Sequence, residues 1–198
     1  MKDVSGDEIR RRSKATRQAK GLKSCFTGKR TIPSICRAVE KLADTIEFER
    51  LFRVGWSDLD GNAHMGNSSY LDYASNIRML FFAEHGFTVS RFASEKFGPV
   101  VVRDELVYRK ELKLMDEFKL DFEATGISQD GVRFRVRNTF RNKLDELLAT
   151  VSSEGVWFDL ERRRPRTPPD DLDSLMRSLK RSNDYGEIPP RSTSGTSA

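Results

Sequence analysis

The sequence predicts an α+β domain in which one long buried helix is wrapped by a five-stranded antiparallel sheet. Three observations support this prediction: an alternating pattern that starts at Phe48, a helical pattern that starts near Tyr70, and four strand patterns between Pro99 and Phe158. Apolar residues recur at every second position in a half-buried strand and at every third or fourth position in a helix. The predicted order is therefore strand, helix and four strands.

The first strand is indicated by large apolar residues that alternate with polar or small ones: Phe48, Phe52, Val54 and Trp56 against Glu49, Arg53 and Gly55. Residues 58–66 have the composition of a turn. A helical face follows, made of Tyr70, Tyr73, Ala74, Ile77, Phe81 and Glu84. Leu71, Met79, Leu80 and Phe82 add apolar groups elsewhere on the circumference, which predicts a largely buried helix. Gly86 is a suitable C-terminal stop.

Four aromatic residues near the end of this helix allow two interpretations. Phe81, Phe82, Phe87 and Phe92 could form the wall of an apolar pocket, or they could be ordinary core residues. The sequence alone leaves both interpretations open.

The second half of the domain reads as a series of strands. Pro99 to Tyr108 is β-branched and apolar, and Leu147 to Phe158 closes the series. Two alternating strands lie between them, one with Phe118, Leu120, Phe122 and Ala124 inward, the other with Val132, Phe134, Val136 and Phe140 inward. Gln129, Asp130 and Gly131 form the turn that joins these two. A sheet of this kind has two edges and an uncovered outer face, which favours dimerisation.

A row of arginines, Arg133, Arg135, Arg137 and Arg141, alternates with core residues on one predicted strand. The row is similar to a nucleic-acid surface, but one-for-one alternation with core residues favours a solvated sheet face. We expect its arginines to pair across strands with Asp121 and Glu123.

The charge distribution argues against a nucleic-acid partner. The 198 residues carry 35 Lys and Arg and 30 Asp and Glu, a net charge of +5. Residues 1–45 contribute +7, residues 46–160 contribute −4 and residues 161–198 contribute +2. Because the basic excess belongs to the ends, we expect no basic groove through the folded region.

Several other classes are also unexpected. No apolar run approaches the roughly 18 residues of a membrane span, and no apolar stretch typical of a secretory signal follows the basic N-terminus. Cys25 and Cys36 are the only cysteines and have no histidine pair nearby, so neither a disulfide framework nor a zinc site is expected. A reducing, cytoplasmic setting is therefore predicted.

These patterns divide the chain into three regions. Residues 1–45 are predicted to be a basic, disordered extension, with a short helix possible from Ile32 to Leu42. An RNA- or lipid-contacting tail, a transit-like extension and an upstream start codon all remain open for it. Residues 46–160 form the predicted domain. Residues 161–198 form a Pro- and Arg-rich segment with a short helix over Asp170 to Leu179 and a disordered tail from Arg191.

Polar side chains are concentrated between the first strand and the long helix: Asp58, Asp60, Asn62, His64 and Asn67. Each type is common in turns and helix caps, but their grouping at a helix N-terminus makes this the candidate site. An EF-hand loop is excluded because Ala63 stands at the glycine position and Ser69 at the twelfth position. No Gly-x-Ser-x-Gly elbow is present for a serine hydrolase, and a phosphate-binding loop would need more glycines and a following lysine.

The chemistry that this segment favours is carboxylate chemistry beside a helix dipole. Free N–H groups near Asn67 and Ser68 can polarise a carbonyl. A carboxylate a few residues earlier can act on that carbonyl directly or through a water molecule. This chemistry needs no metal or other cofactor.

The chain resembles the hotdog-fold acyl-CoA thioesterases, most closely their 4-hydroxybenzoyl-CoA thioesterase-like group. The resemblance lies in the string Asp58-x-Asp60-x-x-x-His64-x-x-Asn67-x-x-Tyr70 and in the long helix and antiparallel strands that follow it. The similarity covers residues 47–159. It implies a homodimer or homotetramer in which sheets pair edge to edge and active sites lie between subunits.

The resemblance also implies a role for each residue of the motif. Asp60 matches the catalytic nucleophile or general base, and the Asn67 N–H matches the oxyanion donor. His64 matches a histidine that orients the substrate or assists acid–base steps. Ser68 and Tyr70 are predicted to bind substrate at the helix start, and Asp58 to bond loop amides. Many members have two asparagines where this chain has Gly66 and Asn67.

The predicted function is hydrolysis of a thioester, either acyl-CoA or an acylated carrier protein, to free acid and thiol. An enoyl-thioester hydratase or dehydratase is an alternative, although hotdog hydratases usually place the histidine five residues after the aspartate rather than four. A non-catalytic acyl-binding domain also remains open.

Overall fold

A computed structural model describes residues 45–189 of the chain. It contains strands β1 (Glu49–Arg53), β2 (Phe97–Tyr108), β3 (Glu117–Asp121), β4 (Glu123–Ile127), β5 (Arg133–Arg141), β6 (Leu147–Asp159) and β7 (Arg164–Pro165). The helices are α1 (Asn67–Glu84), α2 (Val89–Ser94) and α3 (Asp170–Ser178), and a short 3-10 helix spans Trp56–Asp58. The predictions for residues 1–44, including the short helix after Ile32, and for residues 190–198 lie outside the described part.

The seven strands form one antiparallel sheet in the order β1-β3-β5-β6-β2, with β4 beside β5 and β7 beside β6. The predicted order of strand, long helix and further strands is confirmed, and the architecture is the α+β hotdog fold. The single strand predicted from Phe118 is divided at Phe122 into β3 and β4, which accounts for part of the higher strand count. None of the helices within residues 45–189 is long and apolar enough to cross a lipid bilayer.

The core lies between α1 and the inner face of the sheet and is rich in aromatic rings. Phe81, Phe82, Phe87 and Phe92 are all buried, and Phe82 and Phe92 contact the indole ring of Trp157. The core interpretation of these four residues is therefore confirmed. A Cβ atom on Gly155 would lie 2.4 Å from the ring of Phe134, so glycine is needed where that ring crosses β6.

The predicted alternation of the first strand fails at its end. Trp56 belongs to the 3-10 helix rather than to β1, and its side chain is 81% exposed. The strand ends at Arg53 because the backbone turns at Gly55, whose N–H donates to Asp58 Oδ2 at 2.7 Å. Trp56 is thereby directed away from the core.

The outer face of β5 is partly covered, so the arginine row that was predicted to be solvated is solvated only in part. The segment after α3 forms a parallel bridge with β4 at Ala124 and Arg181 and continues over the row. Arg137 donates to both carboxylate oxygens of Asp184, at 3.1 and 2.6 Å, and Arg135 donates to the carbonyl of Gly186 at 3.1 Å. The pairing of Arg137 with Glu123 in the strand register is as predicted. The predicted helix after Pro169 is also confirmed as α3.

The C-terminal helix completes the core from the sheet edge. Leu172, Met176 and Leu179 are each at most 2% exposed and belong to the same apolar cluster as α1. The proposed division of the chain at residues 45 and 160 stays a prediction.

A half-buried carboxylate beside this C-terminal segment predicts a pH-dependent stability. Burial raises the pKa of Asp121 to about 6 from its ordinary 3.8, although the Thr139 N–H donates to its Oδ1 at 2.7 Å. The folded state therefore binds this proton more tightly than the unfolded chain, and its contribution to stability is lost as the pH rises from about 4 through 6. We expect Asp121→Asn, which keeps an acceptor for Thr139, to raise the free energy of unfolding at pH 7.5 by about 1–3 kcal/mol.

Urea unfolding between pH 4 and pH 8 tests this prediction. The gain from Asp121→Asn should shrink steadily toward pH 4. Asp145→Asn is the matched control, because the Asp145 side chain is 77% exposed and should show no such trend. A gain that stays constant across the range would contradict the assignment to Asp121 ionisation.

Candidate active site

The candidate site is a tight loop between β1 and α1, closed by an antiparallel bridge between Leu59 and Met65. The N–H of Gly66 donates to the carbonyl of Asp58 at 2.8 Å, and the Ser69 hydroxyl donates to the same carbonyl at 2.9 Å. Ala63 supplies the left-handed turn with φ of 60°. The loop is therefore attached directly to the first turn of the helix.

Asp58 holds this loop in place. Its Oδ2 accepts hydrogen bonds from the Gly55 N–H at 2.7 Å and from the Tyr73 hydroxyl at 2.8 Å. The structural role predicted for Asp58, bonding of loop amides, is confirmed. Burial and, to a smaller extent, the hydrogen bond to Asp58 raise the pKa of Tyr73 to about 12.

Asp60 lies against the beginning of α1 with its carboxylate exposed. A Cβ atom on Gly66, the N-cap residue, would lie 3.6 Å from the Asp60 Cβ. Asp60 Oδ1 accepts hydrogen bonds from the N–H groups of Asn62 at 2.8 Å and His64 at 3.2 Å. These backbone donors lower the pKa of Asp60 below its ordinary value. The carboxylate is therefore held ionised and in one orientation, and the Asn62 side chain also hydrogen-bonds to it.

The N-terminus of α1 presents an unused backbone donor. Asn67 is the first helical residue, and within residues 45–189 nothing accepts a hydrogen bond from its N–H. The Asn67 side chain is turned back, since its Oδ1 accepts from the Ser68 N–H at 2.8 Å. A free N–H at the positive end of an eighteen-residue helix can stabilise a developing negative charge.

His64 points toward the connection between β2 and β3. Its Nε2 lies 3.3 Å from Glu111 Oε2, and the Met65 N–H next to it donates to the Leu112 carbonyl at 2.8 Å. Glu111 also pairs with Lys113 Nζ at 2.8 Å. Lys113 and His64 together lower the pKa of Glu111, with Lys113 the larger cause.

The structure brings Asp60, His64 and Asn67 together and separates the two predicted substrate-binding residues. Ser68 is exposed beside Asn67, whereas the Tyr70 side chain is only 2% exposed. The Tyr70 ring packs edge-on against Tyr108 and Phe140, at centroid distances of 5.3 and 5.1 Å. Burial raises the pKa of the Tyr70 hydroxyl to about 12. The roles of all five residues in catalysis and binding stay predictions.

A cavity of about 510 Å³ lies beside the site, between the β2–β3 connection and the β5–β6 turn. Its lining includes Glu111 and Leu112, which contact the loop, and the apolar side chains of Met115, Leu144 and Leu148. Asp60 and Asn67 are not part of the lining. The cavity therefore offers space next to the candidate catalytic groups rather than around them.

The family model of the thioesterase-like superfamily matches residues 54–176, which contain the loop, α1 and all strands after β1. This chain belongs to the thioesterase-like superfamily. A search of curated proteins found no match.

Solved structures share the fold of this thioesterase-like chain at low sequence identity. A hypothetical protein from Staphylococcus aureus in complex with CoA is 17% identical, with a TM-score of 0.63 over 78% of this chain and 96% of that one. A 1,4-dihydroxy-2-naphthoyl-CoA thioesterase from Synechocystis is 15% identical, with a TM-score of 0.60 over 66% and 96%. A gentisyl-coenzyme A thioesterase is 17% identical, with a TM-score of 0.58 over 65% and 98%.

Two residues that contact the candidate site of this thioesterase-like domain were not found from the sequence. Glu111 reaches His64 only because the long β2 strand returns its C-terminal end to the loop, and a lone glutamate 47 positions away carries no local signal. Ser69 was considered only as a calcium-loop position, whereas its hydroxyl attaches the loop to the helix. Hydrogen bonds of this kind depend on tertiary placement rather than on spacing.

Proposed function

We propose that this protein hydrolyses acyl-CoA thioesters to a free acid and CoA. The observation that carries the proposal is the free Asn67 N–H at the start of α1, next to an Asp60 carboxylate held ionised by two backbone donors. Membership of the thioesterase-like superfamily supports the same reaction class. A carrier-protein thioester is a second possible form of the same substrate.

In the proposed reaction, the thioester carbonyl oxygen accepts a hydrogen bond from the Asn67 N–H. Asp60 Oδ2 then removes a proton from a water molecule that adds to the carbonyl carbon, or it adds to that carbon itself. The resulting oxyanion is stabilised by the N–H and the helix dipole. Collapse breaks the carbon–sulfur bond and the thiolate leaves; in the first route it takes up the proton held by Asp60, and in the second it takes up the proton that water releases when the anhydride is hydrolysed. In the second route, water then hydrolyses the acyl-aspartate anhydride.

His64 and Glu111 are suited to an assisting role. Their contact of 3.3 Å fixes the imidazole ring beside the loop, where it can orient the substrate or carry a proton to the leaving thiolate. We assign a substrate contact to Ser68 because it is exposed beside Asn67, and a supporting role to Tyr70 because it is buried behind them.

We further propose that a second copy of the chain pairs along β2. Among the described residues β2 is hydrogen-bonded to a strand on one side only, namely β6. Its exposed apolar side chains, Val101, Val102 and Tyr108, are 41%, 64% and 50% exposed. Pairing of two such edges would cover these groups and close the open edge of the sheet. Sedimentation velocity on the full chain should show a dimer or a tetramer, and a monomer would contradict this assembly.

A thiol-release assay tests the proposed reaction. The full-length protein is given short, long and aromatic acyl-CoAs, and the free thiol is measured continuously. We expect turnover of at least one class. Tight binding of acyl-CoA without turnover across all chain lengths would instead support the non-catalytic acyl-binding function.

A further inference from the structure

Two side chains of α1 attach the candidate loop to the helix, and the proposed reaction gives a role to neither. The Ser69 hydroxyl donates to the Asp58 carbonyl at 2.9 Å, and the Tyr73 hydroxyl donates to Asp58 Oδ2 at 2.8 Å. Ser69 and Tyr73 are four residues apart, so they lie on the same face of α1, one turn from each other. Asp58 is therefore held at its backbone by one turn of the helix and at its side chain by the next.

The Tyr73 side chain has a fixed position between the helix and the sheet. Its ring packs edge-on against Phe52 of β1 and Phe118 of β3, at centroid distances of 5.2 and 5.1 Å. Its hydroxyl oxygen also lies 3.1 Å from the carbonyl oxygen of Arg53, the last residue of β1. The Tyr73 hydroxyl therefore joins the end of β1, the candidate loop and α1 at one point.

Asp58 connects this point to the two groups that the proposed reaction uses. Asp60 follows Asp58 by two residues. The N–H of Gly66, directly before Asn67, donates to the Asp58 carbonyl at 2.8 Å. A Cβ atom on Gly66 would lie 3.6 Å from both the Asp58 carbonyl oxygen and the Asp60 Cβ, so the two sides of the loop are in close contact. A shift of Asp58 would therefore move the Asp60 carboxylate relative to the start of α1.

The hydrogen bonds of Asp60 do not themselves fix the loop to the helix. Its carboxylate is bonded to Asn62 and His64, which both belong to the loop. Among residues 45–189, the side-chain hydrogen bonds that attach the loop to α1 are those from Ser69 and Tyr73 to Asp58. Alignment matters for rate, because a misplacement of about 1 Å can cost about 10²-fold.

We propose that Tyr73 is a positioning residue for the thioesterase reaction. Its hydroxyl holds Asp58 so that the Asp60 carboxylate faces a thioester carbonyl bound at the start of α1. The inference rests on the proposed function, because that function makes Asp60 the reacting carboxylate. Tyr73 acts through Asp58 and Asp60 and does not contact the substrate.

The first test is Tyr73→Phe, which removes the hydroxyl and keeps the ring between Phe52 and Phe118. We expect kcat for acyl-CoA hydrolysis to fall by about 10- to 100-fold and KM to change by less than about threefold, because alignment is lost rather than binding. Tyr185→Phe is the matched control and should leave kcat unchanged. The Tyr185 ring faces the Arg181 guanidinium, and its hydroxyl forms no hydrogen bond within residues 45–189.

A double-mutant comparison distinguishes positioning from a general structural role. If Tyr73 acts through Asp60, Tyr73→Phe should lower the residual rate of the Asp60→Asn protein by no more than about twofold. The same 10- to 100-fold loss in both backgrounds would overturn the inference, because Tyr73 would then act independently of Asp60. Ser69→Ala removes the other attachment and should show the same dependence on Asp60, which keeps the test available if Tyr73→Phe does not fold.

Amide hydrogen exchange separates this inference from the proposed reaction. The N–H groups of Asn62 and His64, which donate to Asp60 Oδ1, should exchange at least about tenfold faster in Tyr73→Phe, while exchange in the middle of α1 is unchanged. If this local acceleration occurs but the wild-type protein hydrolyses no thioester, Tyr73 still positions Asp60 and the proposed reaction is wrong. If thioesters are hydrolysed and Tyr73→Phe leaves kcat unchanged, or if exchange accelerates equally throughout α1, the inference is overturned.

Discussion

Replacement of Asp60 by asparagine is expected to lower kcat for acyl-CoA hydrolysis by about 10²–10⁴-fold. The Asp60 carboxylate can act as a base or nucleophile beside the start of α1, and an amide can do neither. The substitution is almost isosteric. The asparagine Oδ1 can still accept the hydrogen bonds from the N–H groups of Asn62 and His64, so the loop should keep its conformation.

The measurement is single-turnover thiol release by the purified variant, with circular dichroism and the melting temperature as checks on the fold. Asp58→Asn serves as the matched control because Asp58 has the same chemistry two residues earlier, but its Oδ2 is occupied by Gly55 and Tyr73. We expect this control to lose stability and to retain far more activity than Asp60→Asn. Full thiol release by Asp60→Asn would exclude Asp60 as the reacting carboxylate.

The pKa of Asp60 adds a pH dependence to this prediction. Because its backbone donors lower the pKa below 3.8, Asp60 should remain ionised throughout the range in which the protein is assayed. Any acidic limb of kcat/KM that appears above about pH 5 must then come from another group of the free enzyme or substrate.

The fold was predictable because its signals are local. Alternation in β3 to β6 and the long apolar pattern of α1 each identify an element from its own residues. The placement of the candidate site was predictable for the same reason, since Asp60 and Asn67 belong to one continuous segment at a helix start. The prediction failed at Trp56, where a three-residue 3-10 helix ends the alternation after Gly55, a residue that the alternating pattern had counted as part of the strand.

The remaining errors concern contacts between distant segments. The arginines of β5 were interpreted as solvated because their strand pattern specifies only which face they occupy, not what covers that face. The covering residues, Asp184 and Gly186, lie about fifty positions later and form bonds there because α3 first docks Leu172 and Met176 in the core.

Removal of the Asn67 N–H by proline is expected to lower kcat by about 10²–10³-fold, the usual effect of losing one preorganised oxyanion donor. Proline is compatible with this position for three reasons. Asn67 is the first residue of α1, where proline is favoured because its missing N–H has no helical partner. Gly66 before it is extended, with φ of −70° and ψ of 155°, as a residue preceding proline requires. No hydrogen bond within residues 45–189 is lost from the backbone N–H.

The matched control is Asn67→Ala, which keeps the N–H and deletes the side chain. Because the Asn67 Oδ1 only accepts from the neighbouring Ser68 N–H, we expect the alanine variant to stay within about tenfold of the wild-type rate. The proline variant should bind acyl-CoA with nearly unchanged affinity, since the donor acts mainly on the charge that develops in the transition state. If both variants keep the wild-type rate, the helix N-terminus does not hold the oxyanion. If both variants lose the same large factor in rate, the effect belongs to the asparagine side chain. A large loss in proline alone, at an unchanged melting temperature, identifies the backbone of Asn67 as the group that polarises the thioester.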